Sequence, residues 1–123
     1  KYRQNARFFG VDLIIGNHPH VIQPIEWIDH TLVVYSLGNF ISGQKGTNKR
    51  IGILASVKVE KKTWSIKLHK PRADLIYTYY DENMKNFVVY PFSKLNNTLL
   101  PNYKSIYKEY LNIIKSKSIH IGL

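Results

Sequence analysis

The chain has 123 residues, with 18 Lys and Arg against 8 Asp and Glu, five His and no Cys, for a formal charge of +10. That length suits one domain or part of one, and 44% hydrophobic residues can bury a core, which excludes a disordered tail. Without Cys there is no disulfide scaffold, thiolate zinc site or cysteine nucleophile, so any metal must be held by His and oxygen ligands. No apolar run reaches the ~20 residues that a membrane-spanning helix needs, and no basic-then-apolar leader with a small-residue cleavage site is present in the sequence.

Lys1 stands where a Met would start a protein, and Tyr2, Ala6 and Phe9 fall at helical spacing before Gly10, a helix stop. This predicts a chain that begins inside a larger protein, as its C-terminal part. Val11 to Gly16 is a short apolar run that reads as a buried, parallel strand of an α/β unit. The loop Gly16-Asn17-His18-Pro19-His20 follows, at the strand end where α/β folds bind ligands. Ile22 to Ile28, broken by Pro24, turns at Asp29-His30 into a β-rich run, Thr31 to Leu37, closed by Gly38-Asn39. Residues 42–50 contain two Gly and no apolar side chain and read as a mobile surface loop.

From Ile51 the hydrophobic period becomes two. Residues 51–59 alternate, Lys61-Lys62 makes a turn, and Trp64, Ile66 and Leu68 alternate again, which predicts an antiparallel hairpin. A second pair of strands, Leu75 to Tyr80 and Phe87 to Phe92, is predicted to extend the same sheet. Asn102 is a good side-chain N-cap, and Ile106, Tyr107, Tyr110, Leu111 and Ile114 form the apolar stripe of a helix that docks on the sheet. Its lysines point to a solvated face; as a membrane-surface helix it is short and lacks Trp.

The basic balance is partly compositional: 14 Lys, 10 Asn, 15 Ile and 9 Tyr suggest an AT-rich genome. Residues 1–57 carry +3 and residues 58–123 carry +7, a field that concentrates polyanions without naming one. With four Arg and no Arg-rich helix, nucleic acid is not an expected partner.

Chemistry is to be sought in the two loops. Pro19 biases His18 towards extended backbone, where residues two apart point to one side, so His18 and His20 could face one metal ion or a pair. The plainer reading is a pair of loop histidines bonded to backbone. Asn39 is a natural left-handed turn residue, and its loop position makes a site role conceivable. Ser36 lacks the Gly-x-Ser-x-Gly setting of a nucleophile elbow. Asp12 sits inside its strand, and His30, His69 and His120 are isolated and read as structural or surface residues.

The segment from Gly10 to Glu26, Gly-Val-Asp-Leu-Ile-Ile-Gly-Asn-His-Pro-His-Val-Ile-Gln-Pro-Ile-Glu, is followed by Val34-Tyr-Ser-Leu-Gly-Asn-Phe-Ile41. Both blocks, in this order, closely resemble the C-terminal half of the poly-γ-glutamate capsule biosynthesis (CapA-type) family, over about residues 5–60. That family is similar to calcineurin-like metallophosphoesterases. The resemblance implies an α/β (α+β) fold: the C-terminal part of a metallophosphoesterase-like β-sandwich flanked by helices. Residues 1–100 would belong to that domain and residues 101–123 to a C-terminal amphipathic helix and tail.

The resemblance also implies roles. His18 and His20 match the family's paired metal-binding histidines. Gln23, Glu26, Ser36, Gly38 and Asn39 match positions assigned to substrate contacts or to support of the ligands, with Asn39 also a candidate catalytic residue. The implied cofactor is a divalent metal (Mn, Zn, Mg or Fe) with an incomplete ligand set, because the family's upstream Gly-Asp and Asn-His motifs have no counterpart here. Two neutral imidazoles cannot replace the bridging carboxylates of a two-metal site, so these 123 residues alone are expected to bind metal weakly and to turn over no phosphoester. The implied partners are an acidic polymer such as poly-γ-glutamate and other capsule-synthesis proteins at the membrane, and the implied location is the extracytoplasmic face of the cell envelope. Three readings remain: a part of a capsule protein acting in polymer assembly or export, a metal-dependent phosphatase or phosphodiesterase of unknown substrate, and a non-catalytic polyanion-binding module built on residues 58–123.

Overall fold

A computed structural model describes residues 10–117 and 120–122. The predicted helix over Tyr2 to Phe9 lies outside them. Among the described residues six strands and one α-helix follow in order: β1 (Leu13–Ile15), β2 (Ile25–Ile28), β3 (Thr31–Val34), β4 (Ile51–Lys61), β5 (Ile66–Tyr79), β6 (Val88–Pro91) and α1 (Tyr103–Lys115). They form two three-stranded sheets, ordered β1-β3-β2 and β4-β5-β6. The chain is of the mixed α/β class, with two sheets sharing one core and a helix packed beside them.

The first sheet follows the hydrophobic pattern closely. β1 pairs parallel with β3, Leu13 opposite Leu32 and Ile15 opposite Val34. β2 pairs antiparallel with β3, and the reversal falls at Asp29 (φ 53°), where Asp tolerates the left-handed region. All four residues of β3 are buried, as expected of a central strand covered on both faces.

The second sheet departs from the expected pairs of short strands. β5 is one strand of 14 residues that serves both hairpins, paired with β4 along most of its length and with β6 over Ile76 to Tyr79. Ser56 faces Arg72 but Lys58 faces His69, so two residues of β5 oppose one of β4. Lys70, at φ 49°, and Pro71 make this bulge, which takes up a proline that could not donate to a regular ladder. The tight turn also falls later than predicted. Lys62 N–H donates to Ser65 O at 2.8 Å, so Trp64 lies in the turn, 95% exposed, and not on an inward-facing strand position.

The core joins both sheets: Ile25, Leu32 and Val34 pack with Ile51, Ile53, Leu75 and Tyr77. α1 adds Tyr110 and Ile114 to this core, and Ile121 joins from beyond the helix. Burying the apolar stripe stabilises the helix against the sheet, as the docking reading requires. Its N-terminus is not the expected cap. Asn102 sits at φ 59°, makes no side-chain cap bond, and donates its own N–H to Asn97 Oδ1 at 3.2 Å.

Candidate functional site

The two loops flagged in the sequence meet at the C-terminal ends of β1 and β3. Gly16 N–H donates to Val34 O at 2.8 Å and Leu37 N–H to Gly16 O at 3.2 Å, so the histidine loop and the Ser36-to-Asn39 loop leave the sheet side by side. The second loop is pinned to the other sheet through a Gly38–Gly52 bridge and the bond from Ile53 N–H to Leu37 O, at 2.8 Å. Both glycines are required. A Cβ on Gly52 would collide with the Asn39 carbonyl, and Gly38 combines φ 69° with a carbonyl of Ile51 that would stand 2.6 Å from its Cβ.

His18 and His20 are exposed, with ring centroids 6.5 Å apart and planes tilted by 52°. Their approach does not come from an extended strand. His20 N–H bonds to Asn17 O at 3.2 Å and His20 has φ 56°, so a tight turn brings the rings onto one side. His20 Nδ1 lies 2.8 Å from Asn39 Oδ1. The orientation of the Asn39 amide follows from its other partners: Nδ2 donates to Lys49 O at 2.9 Å and to Gln44 Oε1 at 3.0 Å, and a backbone carbonyl only accepts. Oδ1 therefore faces the imidazole, Nδ1 carries the proton of the bond, and the lone pair of neutral His20 resides on Nε2.

Other flagged residues are placed differently. Ser36 is fully buried and its Oγ accepts the Gly38 N–H at 3.3 Å, so it shapes the loop from beneath. Gln23 is held through its backbone, N–H to Ser36 O at 3.2 Å. Glu26 is nearly buried on β2 and accepts the Tyr35 hydroxyl at 2.9 Å. Among the described residues no group of three or more His, Asp or Glu could hold a metal, so Glu26 does not complete a triad with the histidine pair.

Residues 42–50 are the part that sequence reasoning missed. Far from hanging free, this loop carries a short 3₁₀ turn (Thr47–Lys49) and closes over the site. Lys49 donates from Nζ to Pro19 O at 3.0 Å, between the two histidines. Arg50 lies over the rings of Tyr80 and Tyr77, at 4.0 and 4.7 Å to their centroids, and donates from Nε to Thr78 O at 2.8 Å. Burial raises the Tyr77 phenol above its ordinary pKa, while the Arg50 charge works in the opposite direction. The signal available in the sequence was a loop whose only long side chains are Gln and cations.

Residues 2–44, which contain both loops, match the family model described as bacterial capsule synthesis protein PGA_cap. The likeness to this capsule synthesis family thus covers about the first third of the chain. The PGA biosynthesis protein CapA of Bacillus subtilis (strain 168) is 42% identical over 64 residues, 50% of this chain and 17% of that protein. The capsule biosynthesis protein CapA of Bacillus anthracis is 42% identical over 41 residues, 33% of this chain and 10% of that protein. The matched segments thus span about a sixth or less of these curated relatives. No solved structure matches the chain. Among the described residues no helix is long and apolar enough to cross a membrane.

Proposed function

We propose that this chain supplies the histidine wall of a divalent-metal site in a capsule synthesis protein that acts on an acidic polymer, such as poly-γ-glutamate, at the extracytoplasmic face of the envelope. The observation that carries the reading is the Asn39 bond to His20 Nδ1, which leaves Nε2 as the donor atom beside the His18 ring. Metal-binding imidazoles characteristically have their second nitrogen held in this way.

The donor set fits such a role as a part and not as a whole. Two imidazoles on one tetrahedral ion, with bonds of about 2 Å, would bring their centroids to about 5 Å. The observed 6.5 Å is wider, and the two exposed rings would each supply one nitrogen to the metal centre. Bound divalent ions would offer Lewis acidity and an activated water; the residues here would hold two of the ligand positions, set the His20 tautomer through Asn39 and keep the loops in register through Gly38 and Ser36. Carboxylates to bridge and neutralise such ions must come from residues outside the described set, and the 123-residue chain alone should hydrolyse no aryl phosphate.

The test is the metal content of the full-length protein, purified with and without the His18→Ala/His20→Ala change. The proposal expects bound divalent metal in the parent and a fall of at least tenfold in the variant. Equal metal content in the two would end it. Turnover of poly-γ-glutamate against simple phosphoesters by the full-length protein separates the polymer reading from that of a general phosphoesterase.

A further inference from the structure

The segment whose loop packs against the histidine turn carries charge of one sign. The sequence has no Asp or Glu from His30 to Val59, while Lys45, Lys49, Arg50 and Lys58 fall within that stretch. Arg50 is engaged with Tyr80, Tyr77 and Thr78 O, so its guanidinium is committed to the protein. Lys49 is different. The residue is half-buried, and its ammonium is anchored by a neutral acceptor, Pro19 O, which uses one of three N–H donors. Among the described residues no carboxylate pairs with it, in contrast to Arg72, which pairs with Asp74.

The anchor also fixes position. Pro19 is the residue between His18 and His20, so the cation is held against the backbone that carries both imidazoles. Lys49 in turn depends on Asn39, whose Nδ2 binds the Lys49 carbonyl while its Oδ1 binds His20. One asparagine therefore sets the histidine and the backbone of the lysine together. A cation with spare N–H donors and no carboxylate partner attracts an anion that reaches the site.

We infer that Lys49 is the anion-binding residue of this site: its two remaining N–H donors take an oxygen of an anionic group, a carboxylate of an acidic polymer or a phosphoryl group, delivered alongside His18 and His20. The inference rests on the histidine reading given under the proposed function and extends it to the recognition of substrate charge. It separates the roles of two neighbouring cations, since Arg50 acts on the fold and Lys49 on the ligand. Replacing Lys49 should reduce ligand binding without removing the histidines' capacity for metal.

The test uses the full-length protein with three probes measured by titration calorimetry: Mn²⁺, inorganic phosphate and poly-γ-glutamate. Lys49→Gln should leave Mn²⁺ affinity unchanged or slightly tighter and weaken at least one anion about tenfold, as expected for loss of a charge-assisted hydrogen bond. Lys49→Arg should restore most of that loss, and the salt dependence of polymer binding should be shallower in Lys49→Gln than in the parent. The anion that loses affinity identifies the group recognised. Unchanged binding of both anions in Lys49→Gln would overturn the inference. A loss accompanied by a lower Tm and not restored by Arg would overturn it as well, because it would make Lys49 only a tie between loops. Failure of the metal reading is read separately, as Mn²⁺ binding that survives His18→Ala/His20→Ala.

Discussion

The two ends of the β4–β5 ladder are built from the same strands and put them to different uses. At one end Ile51, Ile53, Leu75 and Tyr77 are buried against the first sheet, and Gly52 lets the Asn39 loop lie directly on the backbone. At the other, beyond the Lys70-Pro71 bulge, Val59 and Ile66 are 57% and 47% exposed and Trp64 stands in solvent at the turn. The alternating pattern is present at both ends, so period two reports strand geometry and leaves burial to whatever lies opposite. The candidate site is at the packed end, where loops are held by bonds to both sheets.

The first way to break this comparison is through Gly52. A side chain there displaces the Asn39 carbonyl, so Gly52→Ala should destabilise the chain by about 3 kcal/mol and disturb the His20–Asn39 bond, measured by urea denaturation and by the His20 ring shifts. A close second is Ile51→Ala, which removes a fully buried side chain and should cost about 2–5 kcal/mol, while Trp64→Ala should stay within about 0.5 kcal/mol. Equal costs for Ile51→Ala and Trp64→Ala would erase the distinction between the two ends.

Asn39→Ala sharpens the comparison at the site itself. It removes the bond that sets the His20 tautomer and should lower the metal affinity of the full-length protein by about 10–100-fold, at a stability cost of about 1 kcal/mol. Metal titration and thermal melting of the same sample separate the two effects. The smallest effects are in the titrations. Tyr77 has its pKa raised in the folded state, so the folded chain holds that proton more tightly than the unfolded chain does. The associated stability is fully present below pH 10.0 and is lost as pH rises through the folded pKa, so alkaline melts should show Tm falling from about pH 10 upward. Asp81, in the turn between β5 and β6, has a lowered pKa because the Lys85 N–H, and after it Asn86 and Asn83, hydrogen-bond to its carboxylate. Its turn should loosen only as pH falls below 3.8, visible in the Lys85 amide shift and not in Tm.

Much of this was legible in the sequence because short-range physics dictates it. Val11 to Gly16 reads as a buried parallel strand and is parallel over Leu13–Ile15, but it lies at the sheet edge with Ile15 56% exposed, because β3 takes the central, covered position. The helix stripe from Ile106 to Ile114 faces the core, as its spacing predicts. What stayed hidden depends on distant partners. The expected strands stopped at Leu68 and resumed at Leu75, but a bulge at Lys70-Pro71 lets β5 run through. Asn102 looked like a cap and instead takes a left-handed turn, with its N–H on Asn97. The polar loop 42–50 looked free because its anchors, Pro19 O, Thr78 O and two tyrosine rings, lie some 30 residues away on either side. Within the site, His18, His20 and Asn39 could be named from spacing and resemblance, whereas Lys49 and Gln44 could be found only once the loops were folded together.

The account stands on His20 presenting Nε2 to a metal while Asn39 holds Nδ1. Electron spin-echo spectroscopy of the full-length protein, loaded with Mn²⁺ and carrying ¹⁵N-labelled histidine, reads this directly. The account predicts imidazole nitrogen coupling to Mn²⁺ that is lost in His18→Ala/His20→Ala. Mn²⁺ bound at full occupancy with no histidine nitrogen coupling, or with coupling that persists in the double variant, would contradict it.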